Sequence, residues 1–157
     1  MNIQFIAVGK QHDTYIKEGV DTFTKRISNY YDVQWIIIPP VKNASSFQPE
    51  ELKKKEAEAT MKFINKEDHL IALDEKGRLF SSKQFAQQLQ EKANAGVKTV
   101  SFLIGGAYGL NASLLQRANL VLSFSAFTFP HQLVRLILAE QVYRACTIQR
   151  NEKYHHS

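Results

Sequence analysis

Three short segments whose residue types suit ligand binding each follow an apolar run in this chain. They are LDEKGR at 73–78, GGAYG at 105–109 and SAFTFP at 125–130. If the apolar runs are strands of one parallel sheet, the three segments lie at the carboxyl ends of the strands, where open α/β sheets bind ligands. Glycines allow backbone to approach a ligand closely, although a tight turn explains them equally well. The pattern therefore predicts a ligand site built from loops.

The motifs of the common nucleotide-binding, hydrolytic and metal sites are absent from the sequence. The phosphate loop G-x-x-x-x-G-K-[ST], the dinucleotide fingerprint G-x-G-x-x-G, the nucleophile elbow G-x-S-x-G and the zinc motif H-E-x-x-H do not occur. No His and Cys residues have the spacing of metal ligands. These absences argue against a phosphate-loop enzyme, a serine hydrolase and a metalloenzyme, and we expect no metal.

Charged side chains in the last helical segment are a second group that could do chemistry. Glu140 and Arg144 lie four residues apart, so they form either a solvated ion pair or a pair that faces a substrate. Arg135, Arg144, Arg150 and Lys153 could contact the phosphates of a nucleic acid, since charge neutralisation dominates affinity for RNA. Each of them could also be an ordinary surface charge.

Composition is that of one globular domain with a positive net charge. The chain has 157 residues, 44% of them hydrophobic and 22% charged, which is enough for one sizeable core. The net charge of +5 favours a polyanionic partner, or indicates only a basic protein. Residues 1–157 are therefore predicted to form a single domain.

Cysteine content and hydropathy bear on disulfide bonding and on the cellular location of the protein. Cys146 is the only cysteine and lies in an apolar helical pattern, so we expect a core thiol and no disulfide framework. The N-terminal IQFIAVG is too short to span a bilayer and lacks the features of a signal peptide. These features predict a cytoplasmic location and no membrane contact.

Short apolar runs alternate with segments of helical period along the chain. The runs predict strands at 3–8, 33–38, 69–74, 99–104 and 120–125. Helices are expected to follow Asp13 and Pro49, to begin at a capping box of Ser81 and Gln84, to follow Asn111, and to cover 130–150. This alternation predicts an α/β fold with a mostly parallel sheet and helices on both faces.

The last predicted helix is apolar on more than one face, which a helix covering only its own sheet does not need. Burial against a second subunit would explain the pattern. The apolar positions are Leu133, Val134, Leu136, Ile137, Leu138, Val142, Tyr143 and Ile148.

Several of these stretches together resemble a known family. LIGGAYGL, LSFSAFTFPHQLVRLILAEQVYRA, the tail YHHS, AVGK near the start and ALDEKG are similar to the RlmH family of SPOUT-class methyltransferases over essentially the whole chain. The resemblance implies S-adenosylmethionine as methyl donor and a pseudouridine of large-subunit ribosomal RNA as acceptor, with the assembled ribosome as the expected setting. It also implies a C-terminal trefoil knot and a homodimer whose active site uses both chains. Periodicity alone predicts no knot, because knots are rare.

The resemblance also assigns the residues of the methyl-donor site. A slot of small, apolar and uncharged residues suits adenosine and does not repel the sulfonium. Phe124 could instead be only a core residue, since strand residues that face inward usually are. The assigned residues are Leu73, Gly105, Phe124, Ser125, Ala126, Phe127, Thr128 and Phe129.

The polar tail acquires a role only through this resemblance, since chain ends are commonly disordered. In the family a Tyr-His pair near the terminus reaches the active site, and Tyr154 and His155 match it. They are the predicted catalytic residues, with Arg135, Glu140 and Arg144 as predicted substrate contacts. The imide nitrogen of pseudouridine holds a proton at neutral pH, so transfer needs a base, a water relay or strong hydrogen-bonding support. The sequence leaves open which group removes the proton, and whether free RNA, a subunit or the ribosome is the substrate.

Two other classes of function compete with this interpretation. A ribosome-associated RNA-binding protein without catalysis would explain the basic charge, and would not bind S-adenosylmethionine. A different α/β transferase that uses a nucleotide would need a phosphate loop, which the sequence lacks.

Overall fold

Strands and helices alternate through residues 1–156, which are the residues that the computed structural model describes. The strands are β1 (Asn2–Val8), β2 (Asp32–Ile38), β3 (His69–Leu79), β4 (Thr99–Ile104) and β5 (Leu120–Ser123). The α-helices are α1 (Thr14–Ile27), α2 (Pro49–Met61), α3 (Ser82–Asn94), α4 (Ala112–Arg117) and α5 (His131–Gln149). A 3₁₀ turn at Ala44–Ser46 interrupts the loop before α2.

The five strands form one sheet in the order β2-β1-β4-β3-β5. Every neighbouring pair is parallel, so the predicted α/β class is confirmed and the sheet is parallel throughout. Because all strands point the same way, the loops after β1, β3, β4 and β5 lie at one edge of the sheet.

The two faces of the sheet bury separate apolar clusters, as the alternation of side chains along a strand requires. On β1, Phe5 and Ala7 pack with α1, α3 and α5, whereas Ile6 and Val8 pack with α2 and α4. Helices therefore cover both faces, as the sequence predicts. Cys146 lies fully buried in the larger cluster, which confirms the predicted core thiol.

Helix starts agree with the sequence at two of three predicted caps. Ser81 and Gln84 form both hydrogen bonds of the capping box, and the Asn111 side chain accepts a hydrogen bond from the Ser113 N–H. Asp13 occupies the N-cap position of α1, but its side chain makes no capping bond. Its backbone N–H instead donates to Gln132 Oε1 at 3.0 Å, so Asp13 connects α1 to α5.

β3 is longer than the strand predicted at 69–74. The strand continues to Leu79, where a register shift lets Arg78 and Leu79 pair with β5. Gly77 permits this crossing, because a Cβ there would lie 2.7 Å from the Val121 carbonyl oxygen. β5 ends at Ser123, two residues earlier than predicted, which frees 124–130 as a loop.

Within the described chain, no helix combines the length and the apolar character that crossing a bilayer requires.

Candidate active site

A cleft of about 560 Å³ opens at the carboxyl ends of β3, β4 and β5. We call it the loop cleft, because the segments 73–76, 104–110 and 122–129 line most of it. All three segments singled out in the sequence meet there. Buried Ile104, Leu110 and Leu122 give it an apolar floor, and the loop backbones supply polar groups at its rim. A cleft of this size and lining suits a small organic ligand.

The glycine segment forms its own tight turn at the cleft wall. The Gly109 N–H donates to the Gly106 carbonyl at 3.1 Å, and Gly109 has a φ of +82°. A Cβ on Gly105 would lie 2.9 Å from the Gly109 carbonyl carbon and 2.9 Å from Leu110 Cδ2. The turn itself therefore requires glycine at 105, and a larger residue would deform the cleft wall before it met a ligand.

Serine and threonine side chains fix the loop between β5 and α5. Ser123 Oγ donates to the Ser125 carbonyl at 2.9 Å, and Ser125 Oγ accepts from the Phe127 N–H at 3.0 Å. Thr128 Oγ1 donates to Glu75 Oε2 at 2.7 Å, which ties the loop to the end of β3. Local hydrogen bonds of this kind hold irregular backbone in one conformation.

The predicted donor-site residues mostly line this cleft. Phe124 lines the cleft and also packs on the larger core cluster. Ala126 is exposed at the tip of the loop and does not line the cleft. The residues that line it are Leu73, Gly105, Phe124, Ser125, Phe127, Thr128 and Phe129.

The C-terminal tail folds back onto α5 instead of extending into solvent. Asn151 adopts a φ of +54°, and the Glu152 N–H donates to the Thr147 carbonyl at 2.9 Å, so the chain reverses direction after the helix. This reversal brings Tyr154 and His155 beside the middle of α5.

Four residues form what we call the tail cluster: Glu140, Arg144, Tyr154 and His155. Tyr154 Oη donates to Glu140 Oε1 at 3.0 Å, and Arg144 Nε donates to the same oxygen at 3.0 Å. The Arg144 guanidinium lies 4.7 Å from the centre of the Tyr154 ring. Arg144 and Tyr154 thus meet at one carboxylate oxygen of Glu140.

Protons in the tail cluster are constrained by these contacts. Arg144 Nη1 lies 3.1 Å from His155 Nδ1. Because a guanidinium only donates, Nδ1 accepts, and Nε2 is the ring nitrogen left to face a substrate. Burial, followed by the hydrogen bond to Glu140, raises the pKa of Tyr154. Tyr154 therefore keeps its proton at neutral pH and acts as a hydrogen-bond donor.

The loop cleft and the tail cluster do not meet within one chain. None of the four tail-cluster residues lines the cleft. Val134 marks where α5 leaves the cleft, and Arg144 lies ten residues further on, about 15 Å along the helix axis.

The structure changes the interpretation of Arg135. Its side chain is fully buried, and its Nη1 donates to the Lys10 carbonyl at 2.8 Å. Arg135 therefore lies beneath the loop after β1, where RNA cannot touch it directly. Arg150 and Lys153 are exposed.

Sequence reasoning missed the residues that hold the tail in place. Tyr143 packs edge-on against Tyr154 with ring centres 4.7 Å apart, and Tyr30 Oη donates to Glu152 Oε2 at 2.6 Å. Tyr30 and Glu152 are 122 positions apart, so no local pattern could have indicated the contact. Among residues 1–156, no three His, Cys, Asp or Glu side chains gather as a metal site would need.

Solved methyltransferase structures share this fold. A probable methyltransferase from Bordetella pertussis superposes with a TM-score of 0.58 over 92% of this chain and 96% of its own, at 10% sequence identity. A probable methylase family protein from Haemophilus influenzae gives a TM-score of 0.56 over 99% of this chain and 71% of its own, at 14% identity. A family model described as a predicted SPOUT methyltransferase matches residues 1–155. Fold, loop cleft and family match together define the class as SPOUT methyltransferases.

Relatives at higher identity specify the family within that class. The ribosomal RNA large subunit methyltransferase H of Flavobacterium johnsoniae is 44% identical over 156 residues, covering 99% of each chain. The protein of the same name from Alkaliphilus oremlandii is 44% identical over 158 residues, again covering 99% of each chain. The chain belongs to the family of ribosomal RNA large subunit methyltransferase H.

Proposed function

We propose that this chain transfers a methyl group from S-adenosylmethionine to N3 of a pseudouridine in large-subunit ribosomal RNA. The observation that carries the proposal is full-length similarity to methyltransferases of that RNA, together with a tail that is folded into a defined cluster. A merely RNA-binding protein would need neither the loop cleft nor the ordered tail.

The loop cleft fits the proposed donor. Its apolar floor and its volume of about 560 Å³ suit an adenosine group, and loop backbone near Gly105 and Phe124–Phe129 offers donors and acceptors for the polar edges. Asp74 and Glu75 in the lining offset the charges of Lys53 and Lys76 there, so the cleft carries no excess positive charge that would repel a sulfonium. When bound, S-adenosylmethionine supplies the electrophilic methyl group.

The tail cluster suits the acceptor. Glu140 and Arg144 orient Tyr154, whose ring and hydroxyl can hold a uracil-type base by stacking and hydrogen bonding. With Nδ1 accepting from Arg144, His155 presents an Nε2–H on its other side, which can donate a hydrogen bond to a carbonyl of the base and stabilise the anion left when the imide proton departs to water. Tyr154 holds its own proton too firmly to act as the base.

Two chains are required to complete the proposed site. The loop cleft and the tail cluster lie apart on α5, so we infer a homodimer in which the tail of one protomer meets the cleft of the other. Leu133 and Ile137 support this arrangement, because both are partly exposed and neither packs into a core cluster. Glu140 and Arg144 continue the same helix face at helical spacing.

The topology also supports the C-terminal knot that the family resemblance implies. β4 enters the sheet between β1 and β3, β5 lies outside β3, and α5 then returns to the opposite face from α4 beside the loop 104–110. We propose that this return threads the chain into a trefoil.

One sheet with a cluster on each face supports a single domain over 1–157, and a ribosomal substrate supports a cytoplasmic location.

The test uses large ribosomal subunits and whole ribosomes from a strain that lacks the gene. Mass analysis of the RNA should reveal one pseudouridine without its methyl group, and the purified chain with S-adenosylmethionine should restore it. His155→Ala should lower the single-turnover rate roughly 100-fold. His69→Gln, at the opposite end of the sheet, serves as control.

Three results would contradict the proposal. They are an unchanged methylation pattern in the deletion strain, a normal rate with His155→Ala, and failure of the chain to bind S-adenosylmethionine. The last result would favour the non-catalytic RNA-binding protein.

A further inference from the structure

A second cavity, of about 440 Å³, lies beside the loop cleft at the carboxyl ends of β1 and β4. We call it the switch-point cavity. The chain leaves β1 toward α1 on one face of the sheet and leaves β4 toward α4 on the other. In open α/β sheets, loops that diverge in this way form a crevice that binds ligands. Gly9 and Lys10 form one wall of the cavity, and Gly106 and Ala107 form another.

Arg135 places positive charge beneath this cavity. Its side chain is 0% exposed. Nη1 donates to the Lys10 carbonyl, whereas Nε and Nη2 have no hydrogen-bond partner among the described residues. No carboxylate in that part of the chain lies within ion-pair distance of the guanidinium. Nη2 lies 3.8 Å from the position that a Cβ on Gly9 would occupy, directly under the cavity wall.

Two further groups add positive electrostatic potential at the switch-point cavity. Lys10 is exposed at the rim, and the first residues of α5, His131 and Gln132, line the cavity with the positive end of the helix dipole. A buried guanidinium stays charged, and in a low-dielectric interior its field is weakly screened.

Two acidic residues also line the cavity and limit this potential. Burial raises the pKa of Glu56, whose carboxyl group lies against the Gly106 wall. Asp13, the N-cap residue of α1, is the other carboxylate of the lining. Burial and the Arg135 charge lower the pKa of His131, so this ring adds hydrogen-bonding capacity more than charge.

We infer that the switch-point cavity binds a phosphodiester group of the RNA substrate, next to the nucleotide that receives the methyl group. This inference rests on the proposed function. The cavity shares Gly106, Ala107 and His131 with the loop cleft, so a phosphate bound there lies beside the methyl donor and therefore beside the nucleotide that receives the methyl group. Lys10 contacts the phosphate, while Arg135 attracts it through the thin loop wall. Pro40 and Val41 offer an apolar surface for the attached sugar or base.

The first experiment measures how salt affects methyl transfer to undermethylated large subunits. Lys10→Gln should lower kcat/KM roughly tenfold and reduce the slope of its logarithm against the logarithm of salt concentration by about 0.7 to 0.9. Lys10→Arg should restore most of both, and S-adenosylmethionine affinity should stay constant. Lys98→Gln is the matched control, because Lys98 precedes β4 at the far end of the sheet. Equal effects of Lys10→Gln and Lys98→Gln would overturn the inference.

The second experiment separates a functional from a structural role for Arg135. Removing a buried charge that lacks a salt bridge should leave stability equal or higher, so Arg135→Met should unfold at the same or a higher denaturant concentration. Its kcat/KM for RNA should nevertheless fall several-fold. A less stable protein with normal kcat/KM would overturn the inference.

The remaining outcomes distinguish RNA phosphate from a small free anion. They also distinguish failure of the cavity assignment from failure of the proposed function. Inorganic phosphate that binds wild type but not Lys10→Gln, with no effect of that variant on RNA methylation, would assign the cavity to a small anion and overturn the RNA assignment. A wild type that transfers no methyl group would overturn the proposed function itself. Active wild type with an equally active Lys10→Gln variant would overturn only the cavity assignment.

Discussion

Glu140 connects the parts of the tail cluster, because one of its oxygens accepts hydrogen bonds from both Arg144 and Tyr154. Sequence spacing identified the Glu140–Arg144 pair but left open whether it was an ion pair or faced a substrate. Both side chains are only about one-quarter to one-fifth exposed, at 24% for Arg144 and 20% for Glu140. The pair is therefore too shielded to be an ordinary surface ion pair, and the tail rests on it.

The first prediction tests this role of Glu140. Glu140→Gln removes the charge that holds Arg144 and offers one amide oxygen to two donors, so Tyr154 and His155 should lose their fixed positions. Single-turnover methyl transfer should fall roughly tenfold or more, while donor affinity stays within about twofold. Glu58→Gln, exposed on α2, is the control. Equal rates for the two variants would show that the cluster is not part of the active site.

For single residues, the sequence identified positions that matter but did not identify the contacts that explain them. Gly105 was correctly placed in the cleft wall, but its glycine is required by the turn onto Gly109 and Leu110. Arg135 was expected at a surface and is buried, because the loop after β1 folds over it. Both reasons depend on contacts between segments, which spacing within a single segment cannot predict.

At the scale of elements, local signals located most helices and strands. Period and caps predicted α3 so well because its capping box lies within four consecutive residues. The β3 extension and the contact that Tyr30 makes with the tail were missed, because each joins segments distant in sequence: β3 with β5, and the turn after α1 with the tail.

The second prediction concerns that capping box. Ser81→Ala leaves the Gln84 N–H without its side-chain acceptor and should lower the free energy of unfolding by about 1 kcal/mol. Chemical denaturation monitored by circular dichroism measures the change. Ser46→Ala, in an exposed turn before α2, should change stability much less. A loss in Ser46→Ala as large as that in Ser81→Ala would mean that the cap is not a main source of stability for α3.

The third prediction concerns the contact between the turn after α1 and the tail. Tyr30→Phe removes the hydrogen bond to Glu152, so the tail should spend less time in its catalytic position and the methyl-transfer rate should fall several-fold. Glu152→Gln keeps an acceptor oxygen and should largely preserve the rate, whereas Glu152→Ala should not. Tyr31→Phe is the matched control, because Tyr31 donates to Gln149 on α5 and not to the tail.

The Tyr30–Glu152 contact could instead stabilise the fold without affecting catalysis, and the same variants test this. If Tyr30→Phe and Tyr31→Phe lower stability equally and leave kcat unchanged, the contact is structural only. If donor affinity falls together with the rate, the tail and the cleft are not separate units, contrary to the geometry of one chain.

The whole molecule should become less stable at alkaline pH, and Cys146 is one reason. Burial raises the pKa of its thiol from an ordinary 9.0 to about 12. Between these values the unfolded chain loses the thiol proton and the folded chain keeps it, so stability falls as pH rises above 9. This is the fourth prediction: between pH 8 and pH 10.5, wild type should lose about 2 kcal/mol more unfolding free energy than Cys146→Ala. Identical losses in the two proteins would contradict it.

The sequence did not identify which residues of α5 would form a subunit interface. Apolar residues all around α5 correctly indicated burial on more than one side. Val142, however, is fully buried within its own chain, so a charge there would test folding and not assembly. Leu133, Leu136 and Ile137 are the partly exposed apolar positions of α5 that no core cluster includes. Leu136 lies over Gly19 of α1, so Leu133 and Ile137 are the better probes of an interface.

The fifth prediction tests a site shared between two chains. Thr128→Trp should block the loop cleft with a bulky ring, and His155→Ala should disable the tail, so each protein alone should be inactive. When the two are co-expressed, half of the dimers should be mixed, and each mixed dimer has one cleft and one tail that are both intact. Activity should therefore return to about a quarter of wild type.

Adding Ile137→Lys to both chains should abolish this recovery, because an unpaired charge in the interface separates the protomers. Ala95→Trp, exposed after α3, should remain active without a partner variant. If each chain carried a complete site, the mixture would contain no intact site at all, and absence of recovery in well-folded mixed dimers would refute the shared arrangement.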